Sequence, residues 1–191
     1  MNKIWQMWKA ELSEEEVAAI IKECEYYDPQ QASIGNSQNK NTKDSDIRRS
    51  IIRWIDSSDK NSQFIYDILW KYAQIANREA FGFDINYLQD VQYTIYEATD
   101  DGFYDWHFDT FWGSHHMNDR KLSVTIQLSD SRDYKGGDFK IDEQYEPPLK
   151  ADLRQKGTIF IFPSFLYHMV EPVTEGVRKS LVAWIEGPQF K

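Results

Sequence analysis

The rhythm of apolar and polar positions changes once along the chain, near residue 87. Before that point apolar residues recur every three or four positions. Val17, Ile20, Ile21 and Cys24 follow Ser13-Glu14-Glu15-Glu16, which has the form of a capping box, so the spacing predicts a helix over 13–25 with one buried face. Phe64, Ile65, Ile68, Leu69, Tyr72 and Ile75 make a second stripe, predicting a helix from about Ser62 to Ala80 that Gly82 is placed to end. Residues 28–46, between the two, are rich in Asn, Gln, Ser and Lys and read as a loop.

After residue 87 the runs become short and rich in β-branched and aromatic residues: 91–96, 103–109, 121–128, 137–141, 157–162, 165–171 and 178–185. Turn-forming pieces such as Thr99-Asp100-Asp101-Gly102, Lys135-Gly136-Gly137-Asp138 and Pro147-Pro148 separate them. Strands at this spacing favour a sandwich or jelly roll. The expected architecture is α+β: one domain over 1–191, helical over 1–86 and a β core over 87–191, with the helices packed outside.

Composition narrows the functional classes. A chain of 191 residues, 41% hydrophobic and 15% aromatic, can bury a substantial core. The net charge is −9, from 22 basic and 31 acidic residues, with no Lys/Arg block. Nucleic acid is therefore excluded as an expected partner, and an acidic surface repels anionic membranes. Small molecules and proteins remain, although solubility alone also accounts for such a charge. Cys24 is the single cysteine; it reads as a core residue and cannot form an internal disulfide. No apolar run is long enough for a signal peptide or a membrane span, so a cytoplasmic location is expected.

The chain has four histidines: His107, His115, His116 and His168. His107 and Asp109 lie in Tyr104-Asp105-Trp106-His107-Phe108-Asp109, and residues two apart on a strand share a face. His168, far along the chain, can join them in a jelly roll. Two imidazoles and a carboxylate suit non-haem iron(II). The His-x-Asp pair alone is weak, because a strand histidine is more often a packing residue. Arg178 sharpens it: ten residues beyond His168, its planar fork suits the far carboxylate of a dicarboxylic keto-acid cosubstrate. His115 and His116 read as part of a solvent-facing loop.

Several ordered blocks carry a family resemblance. They are Tyr96…Phe103-Tyr104-x-x-His107-x-Asp109; Leu122-Ser123-x-Thr125-x-x-Leu128-Ser129-Asp130 with Tyr134-x-Gly136-Gly137-Asp138; Gly157-x-x-x-x-Phe162-Pro163; His168-x-Val170-x-Pro172-Val173-x-x-Gly176-x-Arg178; and Trp184. From about 92 to 187 the chain resembles the prolyl 4-hydroxylase-like 2-oxoglutarate oxygenases, and most closely the PKHD-type hydroxylases. The resemblance implies a double-stranded β-helix in which His107, Asp109 and His168 hold iron(II) and Arg178 anchors 2-oxoglutarate. It implies dioxygen as co-reactant and ascorbate (vitamin C) as an optional accessory. Tyr96 is the implied hydrogen-bonding partner of the cosubstrate. It lies eleven residues before His107, a longer gap than the family pattern, so Tyr93 is the second candidate. Gln127 stands where prolyl hydroxylases often carry another cosubstrate-binding tyrosine, and an amide can donate to a carboxylate.

The implied reaction is C–H hydroxylation, with succinate and carbon dioxide released and a peptidyl proline as substrate. Asp109 supports this, because related halogenases lack that carboxylate. Three alternatives stand beside it: hydroxylation of a free amino acid or other small molecule, a cupin-like metal-binding sensor without turnover, and zinc hydrolysis. Residues 28–46 and 110–119 are candidate gates of a peptide groove. The oligomeric state is not legible.

Overall fold

A computed structural model describes residues 4–33, 46–110, 117–142 and 146–190. The chain enters as strand β1 (Gln6–Trp8) and then forms helix α1 (Glu14–Cys24). The capping box is present: Ser13 Oγ accepts from the Glu16 amide and Glu16 Oε2 accepts from the Ser13 amide, satisfying donors a helix start leaves open. Strands β2 (Gln30–Gln31), β3 (Arg48–Arg49) and β4 (Ile51–Ile55) follow. Helix α2 (Gln63–Ala76) runs on into a wider π turn over Asn77–Phe81, and Gly82 ends it at φ +67°.

The remainder is almost all strand: β5 (Tyr87–Glu97), β6 (Phe103–His107), β7 (Asn118–Gln127), β8 (Tyr134–Gly136) and β9 (Phe139–Ile141). A short helix α3 (Lys150–Leu153) precedes β10 (Ile159–Pro163), β11 (His168–Val170) and β12 (Val173–Pro188). Two antiparallel sheets result. The larger runs β1-β10-β7-β12-β5-β4-β2, with β8 paired to β12; the smaller runs β3-β6-β11-β9. This is a jelly roll.

The expectation of a purely helical segment over 1–86 is corrected here. β1, β2 and β4 extend the large sheet, and β3 extends the small one. These are short edge strands whose pairing is set by tertiary partners, such as Ile51 opposite Ile95 and Arg48 opposite Tyr104. Local periodicity is faint in pieces of two to five residues. The 28–46 loop falls largely on residues 34–45, outside those described.

Alternation along the large sheet divides its faces. Val91 and Tyr93, Leu122, Val124 and Ile126, Ile159 and Ile161, and Leu181, Ala183 and Ile185 join one core with Val17, Ile20 and Cys24 of α1 and Ile65, Leu69 and Tyr72 of α2. The intervening positions include Gln92 and Tyr96, Ser123 and Thr125, Phe162, and Arg178, Ser180, Val182 and Trp184, which line a cavity between the sheets. A period of two puts apolar groups toward the helices and a mixture of polar and aromatic groups toward the cavity. No described helix is long and apolar enough to cross a membrane.

Candidate metal centre and cosubstrate cavity

The cavity has a volume of about 50 Å³ and opens to solvent. One wall is the small sheet, where His168 of β11 pairs directly with His107 of β6. Asp109 does not share the strand with His107: β6 ends at His107. The Asp109 amide donates instead to Ser164 O at 2.8 Å, which bends the chain so that its carboxylate faces both imidazoles. His107 Nε2 lies 3.7 Å from Asp109 Oδ1, and His168 Nε2 lies 3.5 Å from Oδ2. Ligand atoms of the three residues all fall within 4.8 Å of one another.

The donor set fits iron(II). His107 Nδ1 is 2.7 Å from Asp105 O, and His168 Nδ1 is 2.8 Å from Leu166 O. A carbonyl only accepts, so each Nδ1 carries the proton and each Nε2 lone pair is left for a cation. Burial, then the neighbouring His168, pushes the His107 imidazole down to about 3, so it stays in the neutral, ligating form. Burial pushes Asp109 upward, but His168, His107, Arg120 and the Ser123 hydrogen bond outweigh it and hold the carboxyl below the usual carboxylate range. Ser123 Oγ donates to Asp109 Oδ2 at 2.6 Å and lies 3.0 Å from Ser164 Oγ. Tyr104 stacks on His107 with ring centroids 3.5 Å apart, and Phe162 meets the His168 ring edge-on at 4.8 Å. Two imidazole nitrogens and one carboxylate match the facial arrangement of iron(II) oxygen chemistry.

Arg178 lines the same cavity and is 4% exposed. Its Nη1 reaches only the Ser180 hydroxyl, at 3.5 Å, and its guanidinium lies 5.6 Å from the Tyr96 ring centre. No described carboxylate pairs with it. A buried cation without an anion is costly, so the site is built to receive one. Tyr96 sits opposite Arg178 in the β5–β12 register and lines the cavity. Tyr93 is on the other face, in the helix-side core with its hydroxyl 3.4 Å from Glu25, so the structure keeps it away from the cavity. Gln127 is buried near Arg178, but its Nε2 donates to Ser129 O and Tyr134 Oη, leaving Oε1 without a partner. In this arrangement Gln127 has no free donor for a carboxylate.

Three cavity residues escaped sequence reasoning. Arg48, Gln92 and the role of Tyr104 behind His107 emerge only when β3 and β5 are placed. The alternation in Arg48-Arg49-Ser50-Ile51-Ile52-Arg53-Trp54-Ile55 was the available signal. His115 and His116 and most of the 110–119 gate lie outside the described residues.

A model of the 2OG-Fe(II) oxygenase superfamily matches residues 91–186, half the chain, including His107, Asp109, His168 and Arg178. The chain belongs to this superfamily, whose members use iron(II), 2-oxoglutarate and dioxygen. A PKHD-type hydroxylase of Synechococcus sp. (strain CC9311) is 38% identical over 96 residues, 50% of this chain and 41% of that relative. The match thus spans about two fifths of the relative's length. Among solved structures, a Pseudomonas putida prolyl-4-hydroxylase superposes with a TM-score of 0.71 at 18% identity, covering 98% of this chain and 94% of that one. A Trichoplax adhaerens prolyl hydroxylase in complex with a hypoxia inducible factor peptide reaches 0.72 at 14% identity, covering 96% and 83%. At these identities the likeness establishes the fold.

Proposed function

We propose that this chain is an iron(II)- and 2-oxoglutarate-dependent hydroxylase acting on a proline-containing peptide. One observation carries the reading: a two-histidine, one-carboxylate cluster shares a cavity with Arg178, a buried cation that no described acid neutralises. In the proposed assignment His107, Asp109 and His168 hold the metal, Arg178 takes the distal carboxylate of 2-oxoglutarate, and Tyr96 flanks it. Iron(II) with 2-oxoglutarate and dioxygen supplies oxidative decarboxylation to succinate and carbon dioxide, coupled to transfer of one oxygen to a substrate C–H bond.

The chain's own residues do the positioning. The Asp105 and Leu166 carbonyls fix both imidazole tautomers, and Ser123 orients the Asp109 carboxylate. Phe139, Phe162, Val170 and Trp184 line the cavity with apolar surface, excluding water from the reacting centre. The peptide assignment is supported by the peptide held in the Trichoplax structure and by the prolyl hydroxylase named in the Pseudomonas one.

The test is succinate release together with mass spectrometry over proline-containing peptides and free amino acids. The expected result is one added oxygen on a peptidyl proline with matching succinate. Robust hydroxylation of free amino acids with every peptide inert would overturn the peptide assignment, and no 2-oxoglutarate turnover with any substrate would overturn the enzyme.

A further inference from the structure

The cavity holds a second buried guanidinium that the reaction described above does not use. Arg48 is 7% exposed and lines the cavity with the metal-binding cluster. Its Nε donates to Ser50 Oγ at 2.9 Å and its Nη2 to Gln92 Oε1 at 2.7 Å, and it lies 4.5 Å over the Tyr104 ring. Every one of these partners is neutral. Only Arg178, the proposed cosubstrate anchor, is comparably buried among the described arginines; the partly exposed Arg154 pairs with Asp138, and Asp109, Asp90 and Glu186 act on the partly exposed Arg120. Among the described residues no carboxylate contacts Arg48. Leaving a charge buried without a counter-ion costs several kcal/mol in general, so a site that keeps one is built around an incoming anion.

That anion is not 2-oxoglutarate. In the proposed function Arg178 would hold the distal carboxylate of 2-oxoglutarate, and the metal cluster would take its keto-acid end. Gln92, which holds Arg48, sits opposite Val182 on β12, whereas Arg178 sits opposite Tyr96. Four residues of strand separate the two rows, roughly 13 Å at about 3.3 Å per residue. Arg48 instead stands near the metal cluster: its guanidinium lies 4.5 Å from the centre of the Tyr104 ring, and that ring stacks on His107 at 3.5 Å. Trp184, two residues from Val182, also lines this end and buries its Nε1 donor without an acceptor.

Resting on that reading of the site, we infer that Arg48 is a specificity-determining residue that anchors a carboxylate of the primary substrate beside the metal. The substrate class is thereby narrowed to one carrying an acid close to the C–H bond that reacts. A free carboxylic acid and an acidic residue next to the target in a peptide present the same chemistry, and the test separates them.

The full chain, loaded with zinc(II) as a redox-inert metal and saturated with 2-oxoglutarate, is titrated by calorimetry with matched acid and neutral probes. The free-acid arm uses N-acetyl amino acids against their amides, N-acetylproline among them. The peptide arm uses capped Asp-Pro and Glu-Pro dipeptides against Asn-Pro and Gln-Pro. At least one acid is expected to bind about 10-fold or more tighter than its neutral twin, as a charge-assisted hydrogen bond requires. The responding arm identifies the source. Arg48→Gln should cut that preference to below about 2-fold while 2-oxoglutarate affinity stays within about 3-fold, since a lost charge contact is worth about a decade or more. Gln92→Glu, nearly isosteric, should do the same by giving Arg48 an internal acid, and it keeps the test decisive if Arg48→Gln fails to fold. No acid preference in any pair, or a preference that survives in a folded variant of either kind, overturns the inference. Wild-type protein that binds no 2-oxoglutarate sinks the hydroxylase reading instead, so the two failures are distinguishable.

Discussion

A single hydrogen bond or charge decides most of what the site can do. Arg178 has a hydroxyl and an aromatic ring nearby and no described acid, which suits the proposed role of receiving a carboxylate. Arg178→Ala should weaken 2-oxoglutarate binding about 10- to 150-fold, the equivalent of a charge-assisted contact of roughly 1.5–3 kcal/mol. Arg178→Lys should fall between, keeping charge and losing the planar fork. Calorimetric titration of each variant reads this directly, and an unchanged affinity in Arg178→Ala would move the anchor elsewhere. Ser123 acts one step back from the metal. Its hydroxyl holds Asp109 Oδ2 at 2.6 Å, and loss of such an outer partner typically costs about 10- to 100-fold in metal affinity. Ser123→Ala should therefore bind iron(II) more weakly in a chelator competition while 2-oxoglutarate recognition at Arg178 persists. Equal metal affinity in variant and wild type would mean that Asp109 is oriented by its backbone alone. At this scale the His-x-Asp pair alone was a weak signal, and His107, Asp109, His168 and Arg178 stood out as a set only through the ordered blocks that carry the family resemblance. The sequence was mute about Arg48 and Gln92, since an arginine beside a serine is ordinary until its surroundings are known.

Elements place these side chains, and two features beside the pairing of β8 with β12 support that placement. Gly176 has φ +70°, and a Cβ there would lie 1.9 Å from the Asp133 carbonyl oxygen, against backbone that cannot swing away. Gly176→Ala, two residues before Arg178, should destabilise the fold by more than about 1 kcal/mol, the lower end for a strained left-handed position. Denaturant unfolding checks it, and a variant as stable as wild type would show that the turn relaxes freely. Nearby, Asp138 is buried and held by Arg154 at 2.7 Å and by Lys150. Burial would raise its pKa, but the hydrogen bonds from Lys150 and Arg154 win, so the folded value is lowered. A lowered folded pKa contributes stability above the unfolded carboxylate value of about 3.9 and loses it as pH falls through the folded one. Asp138→Asn should cost about 1–3 kcal/mol at pH 7, with the gap to wild type closing below about pH 4. A gap independent of pH would assign the loss to packing. The long elements were legible for the same physical reason that they are stable: α1 and α2 carry continuous apolar stripes, and β5, β7 and β12 are long enough to show alternation. β1 to β4 were not legible, because two- to five-residue strands owe their existence to partners distant in sequence. The same limit hid the break between β6 and Asp109, which depends on Ser164 more than fifty residues away.

At the scale of the whole molecule, the two faces of the large sheet have opposite tasks. One is sealed by α1 and α2 into a continuous apolar core, and the other lines a cavity with two buried arginines and a cluster of three side chains that could hold a metal. The first face supplies stability. The second spends some of it, because buried cations, two facing imidazoles and a carboxylate are better satisfied by ligands than by one another. Ligands that bind only the folded chain must then raise its stability by mass action, about 2.7 kcal/mol when the free ligand is at 100 times its Kd. For a domain of 150–250 residues each kcal/mol raises Tm by roughly 2–4 °C, so iron(II) and 2-oxoglutarate, added without oxygen, should each raise Tm by roughly 5–11 °C at that saturation. Removing metal with EDTA should return the melting curve to that of the ligand-free chain. His107→Ala, with its Nε2 ligand gone, should respond little to the metal while keeping the unliganded Tm near wild type. The order of addition is informative as well. Because the proposed function would have both the metal and Arg178 hold 2-oxoglutarate, the cosubstrate should raise Tm strongly only after metal is present, and Arg178→Ala should keep the metal shift while losing most of the cosubstrate shift. Scanning calorimetry of the three proteins under nitrogen tests the whole scheme. Equal shifts from 2-oxoglutarate with and without metal would place its binding outside the cluster and break the link between the two ends of the cavity.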